Sequence, residues 1–371
     1  MRANSYFYTR KYTFIRMKRD DFGKRVVAWF RENGRSDLPW RMNPDAYHVW
    51  VSEVILQQTR IAQGLHYYLR FTQRFPTVEA LAAAPLDEVL LLWQGLGYYS
   101  RARNLHEAAR AVAKDGGFPR DYAGVRALKG VGDYTAAAIC SIVYKIAVPV
   151  VDGNVYRLLS RWGGVREAVD STAGKKIIAQ MARALIDSAE PGLYNEGAME
   201  LGETVCVPQN PHCTLCPLAH DCVALRDGLT EQLPLKSRKT VVKERFFTYL
   251  YVTWGDYTFV QQRSGNDIWK NLYEFPLIES PARLTPQEVR QMASVLPGIH
   301  TPAAALSITP VWLEVKHQLT HRTLYADFYH VELAASASLP AGWVQVAVPQ
   351  LPCYAFPRLV TRFIEKYIKT I

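Results

Sequence analysis

A chain of 371 residues with 49% apolar and 21% charged side chains has a globular composition, long for one domain and comfortable for two. Its formal net charge of +10 points to a polyanionic partner, either nucleic acid or an acidic membrane surface. No run of about eighteen apolar residues occurs, which excludes a bilayer-spanning helix.

Residues 1–17 (MRANSYFYTRKYTFIRM) are basic and aromatic but lack the apolar core of a secretory signal. They read as a disordered extension ahead of Met17, a second candidate start, or as a basic arm that lies along a polyanion. Phe22, Val26, Val27 and Phe30 then repeat with a helical period over Asp20–Asn33, and a turn at Gly34 leads to LPWR. In YHVWVSEVILQQTRIAQ, one stripe carries Val51, Val54, Ile55, Gln58, Ala62 and Leu65. Glu53 and Gln57 fall off that stripe, a position at which an acid is ordinarily solvated. In WQGLGYYSRARNLHEAA a glycine turn at Gly95 and Gly97 opens a further helix. Tyr98, Tyr99, Arg101, Arg103 and Asn104 mix rings with cations, as a nucleic-acid surface does, although rings also cover helix ends.

The stretch from Leu128 to Arg161, LKGVGDYTAAAICSIVYKIAVPVVDGNVYRLLSR, organises the first half. Gly130 and Gly132 permit positive backbone angles before a helix expected over Tyr134–Lys145. The N–H groups of such a turn suit an anion, and an ordinary turn and cap would look the same. Asp152 stands where an N-capping Asp would stand for the helix that begins near Val155. Helical periods follow over Ser171–Ala189 and Tyr194–Glu203. Cys206, Cys213, Cys216 and Cys222 come next, spaced C-x6-C-x2-C-x5-C. Without a secretory signal a disulfide pair is disfavoured, and tetrahedral zinc fits the ligand count. Cys140 and Cys353 sit among apolar neighbours and read as small core residues.

From Gly228 to Arg245 the pattern breaks into a basic linker holding Pro234, Lys236, Arg238, Lys239, Lys243 and Arg245. The period then changes to two: FFTYLYVTW, a Gly255-Asp256 turn and YTFVQQR read as a hairpin of a second, α+β domain. His317-Gln318-Leu319-Thr320-His321 reads as a loop or strand end.

LKGVGDYTAAA, VVDGNVYRLLSR and SEVILQQT resemble the helix-hairpin-helix–Gly/Val/Pro–Asp glycosylases, and among these the adenine DNA glycosylases called MutY. The likeness continues through IWKNLYEFPLIE and VKHQLTHRTLYADFY and covers nearly everything from Lys18 to about Lys366. The resemblance implies a mainly α helix-hairpin-helix glycosylase domain over 18–227, including an iron–sulfur loop over 206–222 that holds a [4Fe–4S] cluster on Cys206, Cys213, Cys216 and Cys222. A basic linker over 228–245 would lead to a Nudix-like, 8-oxoguanine-recognising domain over 246–371. No dense Glu and Arg-Glu pattern for magnesium is present there, so nucleotide hydrolysis is not expected.

In that family the segment of Glu53 bears the acid that protonates the leaving base, and Asp152 stabilises positive charge on the sugar. Asn154 and Glu196 match positions that orient water or base, with Arg41 and secondarily Arg35 as substrate contacts. Tyr134 stands where strand-cutting relatives place a Schiff-base Lys, which implies a monofunctional enzyme. Gln57 and Gln58 would touch or wedge into the duplex, with Tyr98, Gly130 and Gly132 also on DNA. Family members usually have Pro where this chain has Lys129. Leu319, Thr320 and His321 replace a Phe-Ser-His element that senses 8-oxoguanine. The implied partner is double-stranded DNA with adenine opposite 8-oxoguanine or guanine, bound by a monomer with no membrane attachment, cytoplasmic if bacterial. Two other readings stand beside this one. A thymine-mismatch or oxidised-pyrimidine glycosylase commonly lacks the second domain. A non-catalytic damage-binding protein would have no need of both Glu53 and Asp152.

Overall fold

The computed structural model describes residues 19–237, 242–294, 307–333 and 342–368. The chain forms two compact units, and it passes between them after Ala82, after His106 and after Lys239.

The first unit is helical. Its helices include α1 (Arg19–Asn33), α2 (Ala46–Leu56) and α3 (Ile61–Arg74). After α4 (Ser100–Lys114), which begins in the second unit, come α5 (Tyr122–Ala127), α6 (Asp133–Ile142), α7 (Gly153–Gly163), α8 (Thr172–Leu185) and α9 (Pro191–Thr204). The apolar stripe of α1 packs through Phe22, Val26 and Val27 on Leu158 and Trp162 of α7 and on Tyr194 and Ala198 of α9. Phe22 meets Trp162 edge to face at 4.7 Å. Glycines let α9 run close to its neighbours: a Cβ on Gly192 would lie 3.0 Å from the Ile142 backbone, and one on Gly202 only 2.7 Å from Asn154 Cβ.

Four expectations change here. The stripe drawn through Val51 and Leu65 is not continuous: α2 stops at Leu56, and the chain turns through Gln57–Arg60 with Gln58 left-handed at φ 58°. Val51, Val54 and Ile55 are buried as expected, but so is almost every other residue of α2, Glu53 included. A helix buried on all sides has no polar face, so periodicity cannot say which way Glu53 points. Gly130 takes the positive angle the turn needs (φ 75°), whereas Gly132 is an extended N-cap at φ −92°. The helix behind it ends at Ile142 instead of Lys145, which itself adopts φ 57°.

The second unit is built on a mixed sheet. Its strands are β1 (Lys243–Trp254), β2 (Tyr257–Gln262), β3 (Tyr273–Glu274), β4 (Leu277–Ser280), β5 (Ser307–Gln318), β6 (Arg322–Glu332) and β7 (Trp343–Ala347). Their order is β3-β2-β1-β6-β5, with β4 on β1 and β7 on β2. β1 and β6 are parallel, and the expected hairpin closes at Gly255, φ 53°, with Trp254 opposite Tyr257. Because β1 starts at Lys243, the last residues read as linker belong to the sheet, where Arg245 pairs with Leu324. Arg238 and Lys239 lie outside the described residues. Helix α10 (Pro286–Ser294) buries Val289 and Ala293, and α11 (Arg358–Phe363) stacks Phe363 on Phe328 at 4.4 Å.

Residues 83–106 belong to this second unit, although the sequence places them inside the first domain. Gln94 donates to Thr361 Oγ1 at 3.2 Å and accepts from the Phe356 amide at 3.2 Å. Arg103 donates to the Lys270 carbonyl at 2.8 Å, and Arg101 lies over the rings of Trp93 and Tyr98. These two arginines therefore make internal contacts in place of the open basic surface read from sequence. Cys140 is buried as expected, but Cys353 is exposed: in the 3-10 turn Val348–Cys353 it is Leu351 that enters the core.

Candidate active site

The ends of α2, α6 and α9 and the start of α7 enclose a cavity of about 150 Å³ in the first unit. Arg41, Glu53, Tyr134, Asp152, Asn154 and Glu196 all line it, joined by Trp40, Met199 and Glu200. Six residues singled out by sequence, spread over more than a hundred positions, thus share one wall. Leu56 and Thr59, flanking Gln57 and Gln58, line it too.

Glu53 is 8% exposed, and its Oε2 has no hydrogen-bond partner. Burial pushes its carboxyl up to about 7, opposed by hydrogen bonding with Tyr134 and reinforced by the charges of Glu196 and Asp152, while Arg41 pulls it down. Burial also drives the Tyr134 hydroxyl well above its ordinary range; that hydroxyl reaches Met199 Sδ at 3.5 Å.

Asp152 is a true N-cap. Its Oδ1 accepts from the Val155 amide at 2.8 Å, and its Oδ2 accepts from Asn154 Nδ2 at 2.8 Å. Burial raises its pKa and these bonds hold it down. Asn154 Oδ1 in turn accepts from Arg157, which also donates to the Cys206 carbonyl at 2.7 Å. The carboxylate is therefore fixed in direction from two sides.

Arg41 stands between two acids of α9, 2.8 Å from Glu196 Oε1 and 2.5 Å from Glu200 Oε2. Burial raises the pKa of Glu196; at Glu200 the two arginines overcome the same burial and lower it. Arg35 does not line the cavity; it pairs with Glu200 and Glu203. Sequence reading named Glu196 but missed Glu200 and Glu203. The signal was there: acids at i, i+4 and i+7 of a mostly buried helix share one face.

The remaining positions lie elsewhere. Gln57 donates to Thr135 at 3.3 Å, and Gln58 is exposed in its left-handed conformation, a state that non-glycine residues keep only under constraint. Gly130 and Gly132 form the turn before α6, where a Cβ on Gly132 would meet nothing within 4 Å. In the second unit Leu319-Thr320-His321 is the turn between β5 and β6, closed by the Leu319 amide on the Arg322 carbonyl at 2.8 Å. Thr320 and His321 are exposed, Leu319 rests on the core, and the Thr320 hydroxyl is hydrogen-bonded to the Tyr98 hydroxyl.

Cys206, Cys213, Cys216 and Cys222 line a second, apolar pocket with Leu158, Trp162 and Leu218, and none is in a disulfide. No three His, Cys, Asp or Glu among the described residues are arranged to hold a single metal ion. Burial pushes the Cys216 thiol up to about 12 and raises Cys213 and Cys222, so thiolates here need a cationic partner. The buried Arg161 guanidinium lies 3.5 Å from Cys206 Sγ and ties the loop down through the Val207 and Pro208 carbonyls at 2.7 and 2.8 Å.

Residues 51–186 match the family model of the HhH-GPD superfamily base excision DNA repair proteins, and residues 248–366 match that of the NUDIX domain. The chain is 30% identical over 355 residues to the adenine DNA glycosylase of Buchnera aphidicola subsp. Baizongia pistaciae, covering 94% of this chain and 97% of that one. It is 45% identical over 219 residues to the adenine DNA glycosylase of Homo sapiens, covering 56% of this chain and 40% of that one. Among solved structures, a thermostable thymine-DNA glycosylase superposes with a TM-score of 0.52 at 27% identity, over 57% of this chain and 98% of that one. With a relative matched along nearly its whole length and a DNA-repair model matched over a span that holds Glu53, Tyr134 and Asp152, this chain belongs to the adenine DNA glycosylase family of base excision repair enzymes.

Proposed function

We propose that the chain removes adenine paired with 8-oxoguanine or guanine, using Glu53 as acid and Asp152 as counter-charge. The observation that carries this reading is one cavity holding a buried carboxyl with a free oxygen and a raised pKa beside a second carboxyl fixed by two residues of a helix start. A base inside a duplex cannot reach such a cavity until it leaves the stack, which costs a few kcal/mol and least at a mispair. Protonated Glu53 donates to the purine ring as the N-glycosidic bond breaks, so the bond's electron pair leaves on a neutral base. The sugar becomes cationic, and Asp152 stabilises it where water is scarce. Asn154 and Glu196 orient the water that completes hydrolysis. Tyr134 has no amine to condense with the sugar, which supports a monofunctional enzyme.

The second unit supplies the choice of partner base. Thr320 carries a hydroxyl able to donate or accept at the altered edge of 8-oxoguanine, and Tyr98 holds that hydroxyl in place. Replacing Thr320 and His321 together with Ala is expected to lower the rate ratio between adenine–8-oxoguanine and adenine–guanine duplexes by roughly tenfold or more. Single-turnover rates at limiting enzyme measure it. An unchanged ratio would assign the turn another job.

The four-cysteine pocket fits a [4Fe–4S] cluster on the chemistry of its donors. Four thiols without disulfides line one apolar wall, and the Arg161 guanidinium beside Cys206 would offset charge on thiolates there. When bound, such a cluster supplies electron-transfer capacity and a rigid loop; the bond cleavage above needs only the chain's own carboxyls. Protein purified without oxygen is expected to contain about four irons and about four sulfides per chain. Stoichiometric zinc in place of iron would defeat the assignment.

A further inference from the structure

Glu200 is 2% exposed, yet its carboxylate accepts three donors: the Arg35 amide at 2.8 Å, Arg35 Nε at 2.9 Å and Arg41 Nη1 at 2.5 Å. Arg35 continues outward to Glu203 at 2.7 Å, and Arg41 continues inward to Glu196 at 2.8 Å. The side chains thus alternate in sign from the surface to the cavity: Glu203, Arg35, Glu200, Arg41, Glu196. At the inner end lies Glu53. The ionisable groups around it are Tyr134 of α6, Glu196 of α9, Asp152 at the start of α7 and Arg41 of the turn Pro39–Met42. Arg41 is the one cation among these groups.

A buried arginine shared between acids acts on a third acid with only the charge its partners leave uncompensated. We infer that Glu200 is a positioning residue that anchors Arg41 away from Glu53 and offsets its charge, so fixing the pH at which Glu53 gives up the proton used on the leaving base. Arg35 opposes it, because it draws Glu200's charge toward the surface. This inference rests on the reading of Glu53 as the acid.

The two halves of the pair have opposite signatures. With Glu200→Gln, Arg41 keeps its full charge for Glu196 and Glu53, the carboxylate form of Glu53 gains, and the proton is lost earlier. The alkaline limb of the pH–rate profile moves to lower pH by roughly one unit. With Arg35→Gln, Glu200 stands uncompensated beside Arg41, and the limb moves to higher pH. Glu200→Asp keeps the charge and returns the limb toward the wild-type position.

The test is the single-turnover rate of adenine release from about pH 5 to about pH 9 for the full chain and these variants. The limb position is read independently of the plateau height. Arg35 is part-exposed, so its variant still reports the direction of the limb where Glu200→Gln fails to fold. Limbs that stay in place while rates fall uniformly, or that move the same way in both variants, overturn the inference. If instead Glu53→Gln retains full turnover, it is the acid assignment that fails.

Discussion

Glu53→Gln is expected to release adenine about 10²- to 10⁴-fold more slowly than the wild-type chain while binding the same mispaired duplex nearly as well. Gln keeps the shape of the side chain but has no proton to give, and no phosphate contact is lost. The same variant carries a second, independent signature. A carboxyl whose pKa sits at about 7 in the fold, against an ordinary 4.5, binds more protons folded than unfolded between those values. Stability therefore falls as pH rises through that window and levels off above it, a cost of about 3 kcal/mol at alkaline pH. Gln removes the cost. The variant should melt higher than the wild type near pH 8 and no higher near pH 4. Full turnover in Glu53→Gln would remove this residue from the mechanism, whatever its effect on melting.

Asp152→Asn is expected to slow base release by about 10²-fold or more, because the positive charge on the sugar then loses the carboxylate that the helix start holds in place for it. The comparison is sharp since Asn caps a helix about as well as Asp. The Asp152 Oδ1 bond to the Val155 amide has a ready substitute in the Asn carbonyl oxygen. Melting temperature should therefore change little while activity collapses, and a chain that needed only a cap would keep its rate. Rapid-quench measurement of base release, beside a binding assay on the same duplex, reads both.

Much of the fold was legible because the sequence announces it locally. Phe22, Val26 and Val27 repeat at a helical period and are buried in the first core, and the change of period after residue 245 marks a sheet. The cavity was legible in its separate parts, through motif likeness at Glu53, Asp152 and Tyr134. Its electrostatics were not. α2 is apolar on every side, so nothing in its pattern says that Glu53 is sealed in with a free oxygen. The break at Gln57–Arg60 has no glycine or proline to signal it. The face of α9 that carries Glu200 is visible in the spacing of its acids, but its partners are not: Arg35 and Arg41 are more than 150 positions away, and such pairing has no local signature. The same holds for Gln94 and Arg103, whose partners lie 167 to 267 residues on.

That last feature bears on how the protein can be divided. The backbone enters the second unit at Ala83, leaves it after His106 and enters again after Lys239, so no single cut separates two self-contained fragments. A nonsense codon shortly after Ser237 would spare the whole cavity and the cysteine loop. It would also strip Gln94 of Thr361 and Phe356, Arg103 of Lys270 and Tyr99 of the Phe356 carbonyl. The shortened chain would carry a stretch of its own interior turned into surface, with polar groups and ring faces robbed of these contacts, which invites aggregation. Gene fragments and protease-resistant cores of this protein should accordingly follow the three crossings of the chain and not the boundary between sequence motifs.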